Sequence, residues 1–256
     1  MSDQLTLLGV GASAGTPVVG CECNTCKSTN KKNYRTRCSS LLSLKNGKNI
    51  LIDTSPDLRL QSLREGFKSV DAVLFTHHHA DHCHGIDDLR AFCQINKKQI
   101  PLYGNQFSMD ELNKKFQYAM VEPNGFWETP ILKPNVVNEP FDLFGLVIEP
   151  IPVFHGKSLI NGYRLGNMAY LTDVSKIPDS SIEQLQNLDV LLLDCLRNEP
   201  HPTHLSCKES IDVAKMLGAK KTFLIHMTHD LEYDALSKKL PESIYVGYDG
   251  LKINVN

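Results

Sequence analysis

Thr76-His77-His78-His79-Ala80-Asp81-His82 is the stretch on which the reading of this chain turns. Four ligand-type side chains, His77, His79, Asp81 and His82, follow directly on the apolar, β-rich run 70–75, so they occupy a loop at a strand end. Imidazoles suit zinc, iron or manganese and carboxylates suit the harder ions, whereas such crowding is unfavourable without a cation. A merely solvated polar loop rarely carries four such groups at this spacing, which makes a metal site the better reading. His78 is expected to point away from a site built from its two neighbours, and His84 to be a bystander.

Outward from that loop, β-rich runs at 4–10, 38–44 and 49–52 are separated by Gly, Asn and Pro, the punctuation of successive strands. A first helix is expected from Ser55, with Ser as N-cap, Pro56 at the first helical position and leucines at helical spacing. Later strands are expected at 144–153, 168–171, 190–194, 222–225 and 244–246, with helices at 206–217 and 231–240. Two strand-then-helix halves emerge. Between them, residues 117–138 are rich in Pro, Asn and aromatic residues and read as an irregular insertion that walls one side of the site. No repeat, low-complexity tract or linker marks a boundary, so a single domain over 1–256 is expected. Gly9-Val10-Gly11-Ala12-Ser13-Ala14 meets a permissive dinucleotide fingerprint, but Pro17 and a cysteine cluster stand where its helix should run. Those glycines are read instead as allowing a tight turn or a close approach to the site.

At 256 residues and 41% hydrophobic content the chain can bury a core of one large α/β domain without disulfide staples. Twenty-seven basic against 29 acidic residues leave a net charge of -2, which gives no broad cationic surface for a nucleic-acid backbone. The first residues lack the pattern of a secretion signal and no apolar run is long enough to span a bilayer, so a cytoplasmic protein with no membrane partner is expected. In that compartment the eight cysteines stay reduced, and clustered ones read as metal ligands.

With the central motif His77-His78-His79-Ala80-Asp81-His82, the chain resembles the metallo-β-lactamase superfamily, whose signature is His-x-His-x-Asp-His, and the likeness runs over nearly its whole length. The resemblance implies an α/β fold, an αββα sandwich of two mixed sheets with helices on the outer faces. It also implies a histidine, an aspartate and a final histidine at later strand ends. The matching positions are His155 in Pro152-Val153-Phe154-His155-Gly156, Asp173 in Ala169-Tyr170-Leu171-Thr172-Asp173, and His226 in Phe223-Leu224-Ile225-His226. Taken singly, each could be a hydrogen-bonded loop residue or a turn cap; their joint appearance in family order argues for ligands. By resemblance, His77, His79 and His155 hold one divalent metal, Asp81, His82 and His226 hold the other, and Asp173 bridges them. A metal pair lowers the pKa of a shared water, so that hydroxide exists at neutral pH, and it neutralises charge on substrate oxygens. Mixed His and Asp ligands accept manganese, zinc or iron.

Gly20-Cys21-Glu22-Cys23-Asn24-Thr25-Cys26 offers three thiolates, three corners of a tetrahedral zinc site. His229, in His226-Met227-Thr228-His229-Asp230, matches the fourth ligand of a structural zinc in one subgroup, that of the phosphoribosyl cyclic phosphate phosphodiesterase of phosphonate catabolism. The remaining cysteines, Cys38, Cys83, Cys93, Cys195 and Cys207, carry no such pattern and read as ordinary thiols. In the same subgroup a histidine on the loop His201-Pro202-Thr203-His204-Leu205-Ser206 faces the substrate, and His204 is preferred over His201 as the group that protonates the leaving oxygen. His204 and Asp81 are thus the residues expected nearest the chemistry.

The reading is a metal-dependent hydrolase acting on a small phosphodiester, with cyclic ribose phosphates among the candidates, through attack by metal-bridging hydroxide. A transfer-RNA-processing nuclease uses the same ligands but needs a basic RNA-gripping arm that is not visible, so nucleic acid is not the expected partner. A diiron oxygen-reducing protein is opposed by His79 and by the chain length. Lactone or thioester hydrolysis and a role in quinone-cofactor biosynthesis stay open, as does association into a homodimer.

Overall fold

The structure, a computed structural model, describes residues 2–120 and 132–255. In chain order its strands are β1 (Asp3–Gly9), β2 (Ser39–Ser43), β3 (Asn49–Ile52), β4 (Ala72–Leu74), β5 (Ile100–Gly104), β6 (Leu132–Val136), β7 (Phe141–Leu143), β8 (Leu146–His155), β9 (Ser158–Leu165), β10 (Met168–Leu171), β11 (Val190–Asp194), β12 (Lys221–Ile225), β13 (Ile244–Val246) and β14 (Lys252–Val255). The helices are α1 (Leu58–Glu65), α2 (Ala80–Cys83), α3 (Leu89–Asn96), α4 (Gln106–Met120), α5 (Asp179–Gln184), α6 (Cys207–Leu217) and α7 (Tyr233–Ser237).

Among the described residues the strands form two seven-stranded sheets, β14-β1-β2-β3-β4-β5-β6 and β13-β12-β11-β10-β9-β8-β7. Both are mixed. In the first, the ladders from β14 to β3 are antiparallel and those from β3 to β6 parallel. In the second, β7 to β10 are antiparallel and β10 to β13 parallel. The halves therefore repeat one plan, and the last strand, β14, returns to the edge of the first sheet.

Strand periodicity makes the layers. Side chains alternate between faces, so Leu42, Ile50, Ile52, Ala72 and Leu74 join a core between the sheets, while Leu41, Leu51 and Val73 join a second core under α1, α3 and α4. Each fully buried leucine contributes about 1.5–3 kcal/mol relative to exposure. On the other side, α5, α6 and α7 contact β8, β11 and β13. This is the αββα sandwich that the motif implied.

Two expectations need correction. The first helix begins at Leu58 rather than Pro56, and its N-cap position is Asp57. Ser55 is diverted: its hydroxyl donates to Gln61 Oε1 at 3.0 Å and accepts from Asp57 N at 3.2 Å, inside the core. The insertion read at 117–138 is not irregular at its ends, since α4 continues through Met120 and Leu132–Val136 pairs with β5. Its middle, residues 121–131, lies outside the described residues. Helices α2, α3, α4 and α5, and strands β5, β6, β7, β9 and β14, were not anticipated.

Candidate metal centre

Strand direction gathers the site. The parallel strands of each sheet end together, and just past those ends lie Asp53 after β3, Thr76 to His82 after β4, Asp173 after β10, and His226 after β12; β8 closes on His155 and β11 on Asp194. Asp53, Asp173 and His226 have φ of 58°, 59° and 59°, a left-handed conformation uncommon outside glycine that turns the chain sharply at each strand end.

The ligand-type atoms converge in two groups. One nitrogen each of His77, His79 and His155 lies within 4.8 Å of the other two, and so do single donor atoms of Asp81, His82, Asp173 and His226. The groups abut: His77 Nε2 is 3.8 Å from Asp173 Oδ1, and the rings of His77 and His82 are 4.3 Å apart. His79 is exposed at the mouth, whereas His77, His82, Asp173 and His226 are buried.

The arrangement fits divalent ions on two grounds. First, His77 Nε2 and His82 Nε2 are buried without a hydrogen-bond partner, although His82 Nε2 stands 3.1 Å from Asp173 Oδ2. Second, the carboxylates Asp53, Asp81, Asp173 and Asp194 have only imidazoles as ion-pair partners among the described residues, so no lysine or arginine neutralises them. Burial, reinforced by repulsion from His82, holds the His77 imidazole well below its ordinary pKa. Burial opposes ionisation of Asp173 and Asp81, yet the imidazoles of His226 and His82 outweigh it and hold both carboxyls well below the usual range. Neutral imidazole and ionised carboxylate are the forms that bind a metal. Burial also disfavours charge on His82, but Asp173, Asp81 and Asp53 overcome it and draw its pKa up, a positive charge that a cation among them would replace.

Behind these atoms stands a layer that the sequence reading missed. Asp53, fully buried, accepts from Thr76 N and Thr76 Oγ1 at 2.8 Å each and from His82 Nδ1 at 2.8 Å, so the Nε2 edge of His82 faces the cluster. Asp194 Oδ1 lies 3.3 Å from His204 Nδ1 and 3.4 Å from His226 Nδ1, while its Oδ2 accepts from Leu205 N at 3.0 Å. His155 Nδ1 donates to Thr203 O at 2.9 Å, and Ser13 Oγ donates to Asp81 Oδ2 at 2.8 Å. One signal was available: Asp53 and Asp194 are carboxylates at the ends of β-rich runs, as Asp173 is.

His204 is buried within this layer. Its ring stacks on His226 with centroids 4.9 Å apart, and its Nε2 lies 3.7 Å from Asp173 Oδ1. His201 is half-buried farther out, with Nδ1 turned to Thr203 Oγ1 at 3.1 Å. His78 turns from the cluster and packs edge-on against Phe107, with ring centroids 5.0 Å apart. His84 contacts Phe116.

The cysteine loop meets its partner as well. Cys21, Cys23 and Cys26 place their sulfurs 3.3, 3.3 and 3.4 Å from His229 Nδ1. Zinc bonds of ~2.3 Å to sulfur and ~2.0 Å to nitrogen at tetrahedral angles would put them roughly 3.5 Å apart, so these four side chains could hold zinc. The backbone N–H of Cys26, 3.4 Å from Cys23 Sγ, heads the causes that lower the Cys23 thiol to about 6. No cysteine is disulfide-bonded. The loop is held by main-chain bonds Met227 N to Val10 O at 2.9 Å and Ala12 N to Met227 O at 3.1 Å. A Cβ on Gly11 would stand 2.7 Å from Arg35 O, so only glycine permits that approach, and the dinucleotide fingerprint is a packing device.

Comparison with known proteins agrees with this geometry. The profile of the β-lactamase superfamily domain matches residues 48–227. The crystal structure of a diphosphatase from the PhnP family is 41% identical, covers 99% of this chain and 98% of its own, and superposes with a TM-score of 0.93. Zinc-bound PqqB from Methylobacterium extorquens, at 19% identity and a TM-score of 0.79 over 98% of this chain and 100% of its own, shares the fold. An octanoyltransferase of Porphyromonas gingivalis is 40% identical over 251 residues, 96% of this chain; the chain spans 50% of that protein's length.

Proposed function

Because this chain belongs to the β-lactamase superfamily and is a hydrolase of the metallo-β-lactamase fold, we propose that it hydrolyses a phosphodiester-type P–O bond in a small substrate at a dinuclear metal centre. His77, His79 and His155 would hold one ion and Asp81, His82 and His226 the second, with Asp173 available to both. Manganese, zinc or iron would suit these donors. Cys21, Cys23, Cys26 and His229 would hold a structural zinc. Divalent ions in the paired site would supply an acidified water and offset charge on the phosphate oxygens.

The protein's own residues then orient and protonate. His204 carries the reading, because its Nε2 reaches the cluster beside Asp173 while Asp194 engages Nδ1. That pairing leaves Nε2 facing the cluster, and in the doubly protonated imidazolium the Nε2–H supplies the proton that can pass to the departing oxygen. Asp53 and Thr203 O orient His82 and His155 in the same manner. The 41% identical diphosphatase supports phosphorus chemistry.

The test compares two leaving groups. An alkoxide needs a proton in the transition state and nitrophenolate does not, so His204→Ala should slow hydrolysis of a ribose 2′,3′-cyclic phosphate about 10²- to 10⁴-fold and bis(4-nitrophenyl) phosphate far less. Equal losses on both would remove the proton-donor role. Thioester hydrolysis is the second reading, raised by the octanoyltransferase of which this chain matches 50% of the length, and an octanoyl thioester added to the panel decides between them. Turnover of the thioester alone would reverse their order.

A further inference from the structure

Cys195 and Cys207, ordinary thiols by sequence, lie together behind the centre. Cys195 directly follows Asp194 at the end of β11, and Cys207 is the first residue of α6. Three hydrogen bonds bracket the pair: Leu196 N donates to Leu205 O at 3.0 Å, Cys207 N to Arg197 O at 2.8 Å, and Ser210 Oγ to Asp194 O at 2.6 Å. The two segments are thereby held side by side, and the thiols meet in a hydrogen bond, with Cys195 donating and Cys207 accepting. Their surroundings differ. Cys195 is fully buried, whereas Cys207 lines a cavity of about 460 Å³ between α6 and α7, together with Lys208 and Lys239.

The hydrogen bond from Cys195, aided by the charge of Lys239, lowers the Cys207 thiol to about 7 against the effect of burial, so a large share of it is thiolate at neutral pH. The first turn of α6 favours the same charge. The same hydrogen bond, together with burial, holds Cys195 well above the ordinary thiol range. A nucleophilic thiolate on a cavity wall, backed by a second thiol within reach, suits oxidation to a disulfide. We propose that Cys195 and Cys207 form a redox switch: hydrogen peroxide joins them in a disulfide, and that bond slows hydrolysis by displacing Asp194. Cys207 Sγ attacks one peroxide oxygen, the O–O bond breaks, and hydroxide departs, leaving a sulfenic acid. Cys195 Sγ then attacks Cys207 Sγ; the S–O bond breaks as the S–S bond forms, and the Cys195 proton leaves with that oxygen. Two thiols lose two electrons and two protons, and peroxide is reduced to two waters. A covalent bond holds the sulfurs closer than a hydrogen bond does, so the chain at Cys195 must shift. Its neighbour Asp194 carries the consequence, since Oδ1 lies 3.3 Å from His204 Nδ1 and 3.4 Å from His226 Nδ1.

The experiment treats the metal-loaded, zinc-replete enzyme with hydrogen peroxide, blocks free thiols with iodoacetamide and maps unreduced peptides by mass spectrometry. A peptide joining Cys195 to Cys207 should appear. In parallel, kcat/KM on ribose 2′,3′-cyclic phosphate and metal affinity at the paired centre in chelator competition should each fall about 10- to 100-fold, the usual effect of losing a partner behind a metal ligand. Tris(2-carboxyethyl)phosphine should reverse all three changes. Cys207→Ser and, separately, Cys195→Ala should begin with wild-type activity and keep it in peroxide, which separates this pair from Cys21, Cys23 and Cys26. If either variant fails to fold, the wild-type map and its reversal still decide. An enzyme inert toward the cyclic phosphate would count against the phosphodiester reading, and the joined peptide with the fall in metal affinity would then decide the switch by themselves. Absence of the joined peptide, a disulfide that leaves rate and metal affinity unchanged, or a Cys207→Ser enzyme inactivated like the wild type overturns the inference.

Discussion

Asp53, Asp173 and His226 each take a left-handed backbone immediately beyond a strand, and each carries a side chain of the candidate centre. Such conformations cost of order 1–3 kcal/mol in non-glycine residues and persist where surrounding structure over-determines them. Here the parallel ladders and the buried polar contacts do so. Asp173→Asn keeps the shape but removes the charge between the two groups, so hydrolysis should be abolished while cooperative unfolding is retained; an active variant would sink the bridging role. Asp53→Asn should act through His82. Its metal affinity should fall about 10- to 100-fold in chelator competition, and an unchanged affinity would reduce Asp53 to a core hydrogen-bonding residue.

Helix α6 shows how an element's end serves the site. Ser206 Oγ and Glu209 close a capping box, with Ser206 N donating to Glu209 Oε2 at 2.8 Å, and Ser210 Oγ of the same helix donates to Asp194 O at 2.6 Å. The helix start therefore fixes the loop that presents His204 and the strand end that presents Asp194. Ser206→Ala should cost about 0.5–2 kcal/mol in urea unfolding, with a loss of activity through displaced His204. A variant with wild-type stability would show that the cap is dispensable. The cysteine loop is a second such element, joined by its sulfurs to His229, whose segment Arg35 also holds through Nη1 to Thr228 O at 2.8 Å. Cys23→Ser should lower the melting temperature and reduce the further loss that a zinc chelator causes, because metal binding there is folding energy. If the variant melts like the wild type, the thiol cluster does not hold a structural metal.

Across the molecule, the two sheets deliver their carboxyl-end loops to one edge, and the N-terminal loop closes over it from the opposite half. Asp249, beyond β13, ties these parts: it accepts from Val10 N at 3.0 Å and Thr36 N at 2.9 Å and pairs with Arg64 Nη1 at 3.1 Å. Protein purified without chelators should contain three metal ions per chain, two at the paired site and one zinc at the thiols, by elemental analysis. Full activity with no zinc present would remove the second assignment. Among the described residues no helix is long and apolar enough to cross a membrane.

The reach of the sequence follows from locality. His77, His79, Asp81 and His82 lie in one loop, so their shared chemistry was legible from spacing alone, as was the cysteine trio; His155, Asp173 and His226 became legible only through family order. The strands were readable where apolar residues alternate or run between turns, and α6 where Ser206 and a helical period coincide. Helices α3 and α4 were missed because their burial depends on the outer face of the first sheet, a partner invisible in a local window. Asp53, Asp194 and Ser13 were missed for a related reason. A buried carboxylate or a loop serine has no local signature of what it will touch, and only the convergence of strand ends brought Asp53 to His82, Asp194 to His204 and Ser13 to Asp81. The sequence by itself determined which donors exist and which strands end in them. The tertiary structure decided which donors meet and in what tautomer, because those depend on distances between segments far apart in the chain.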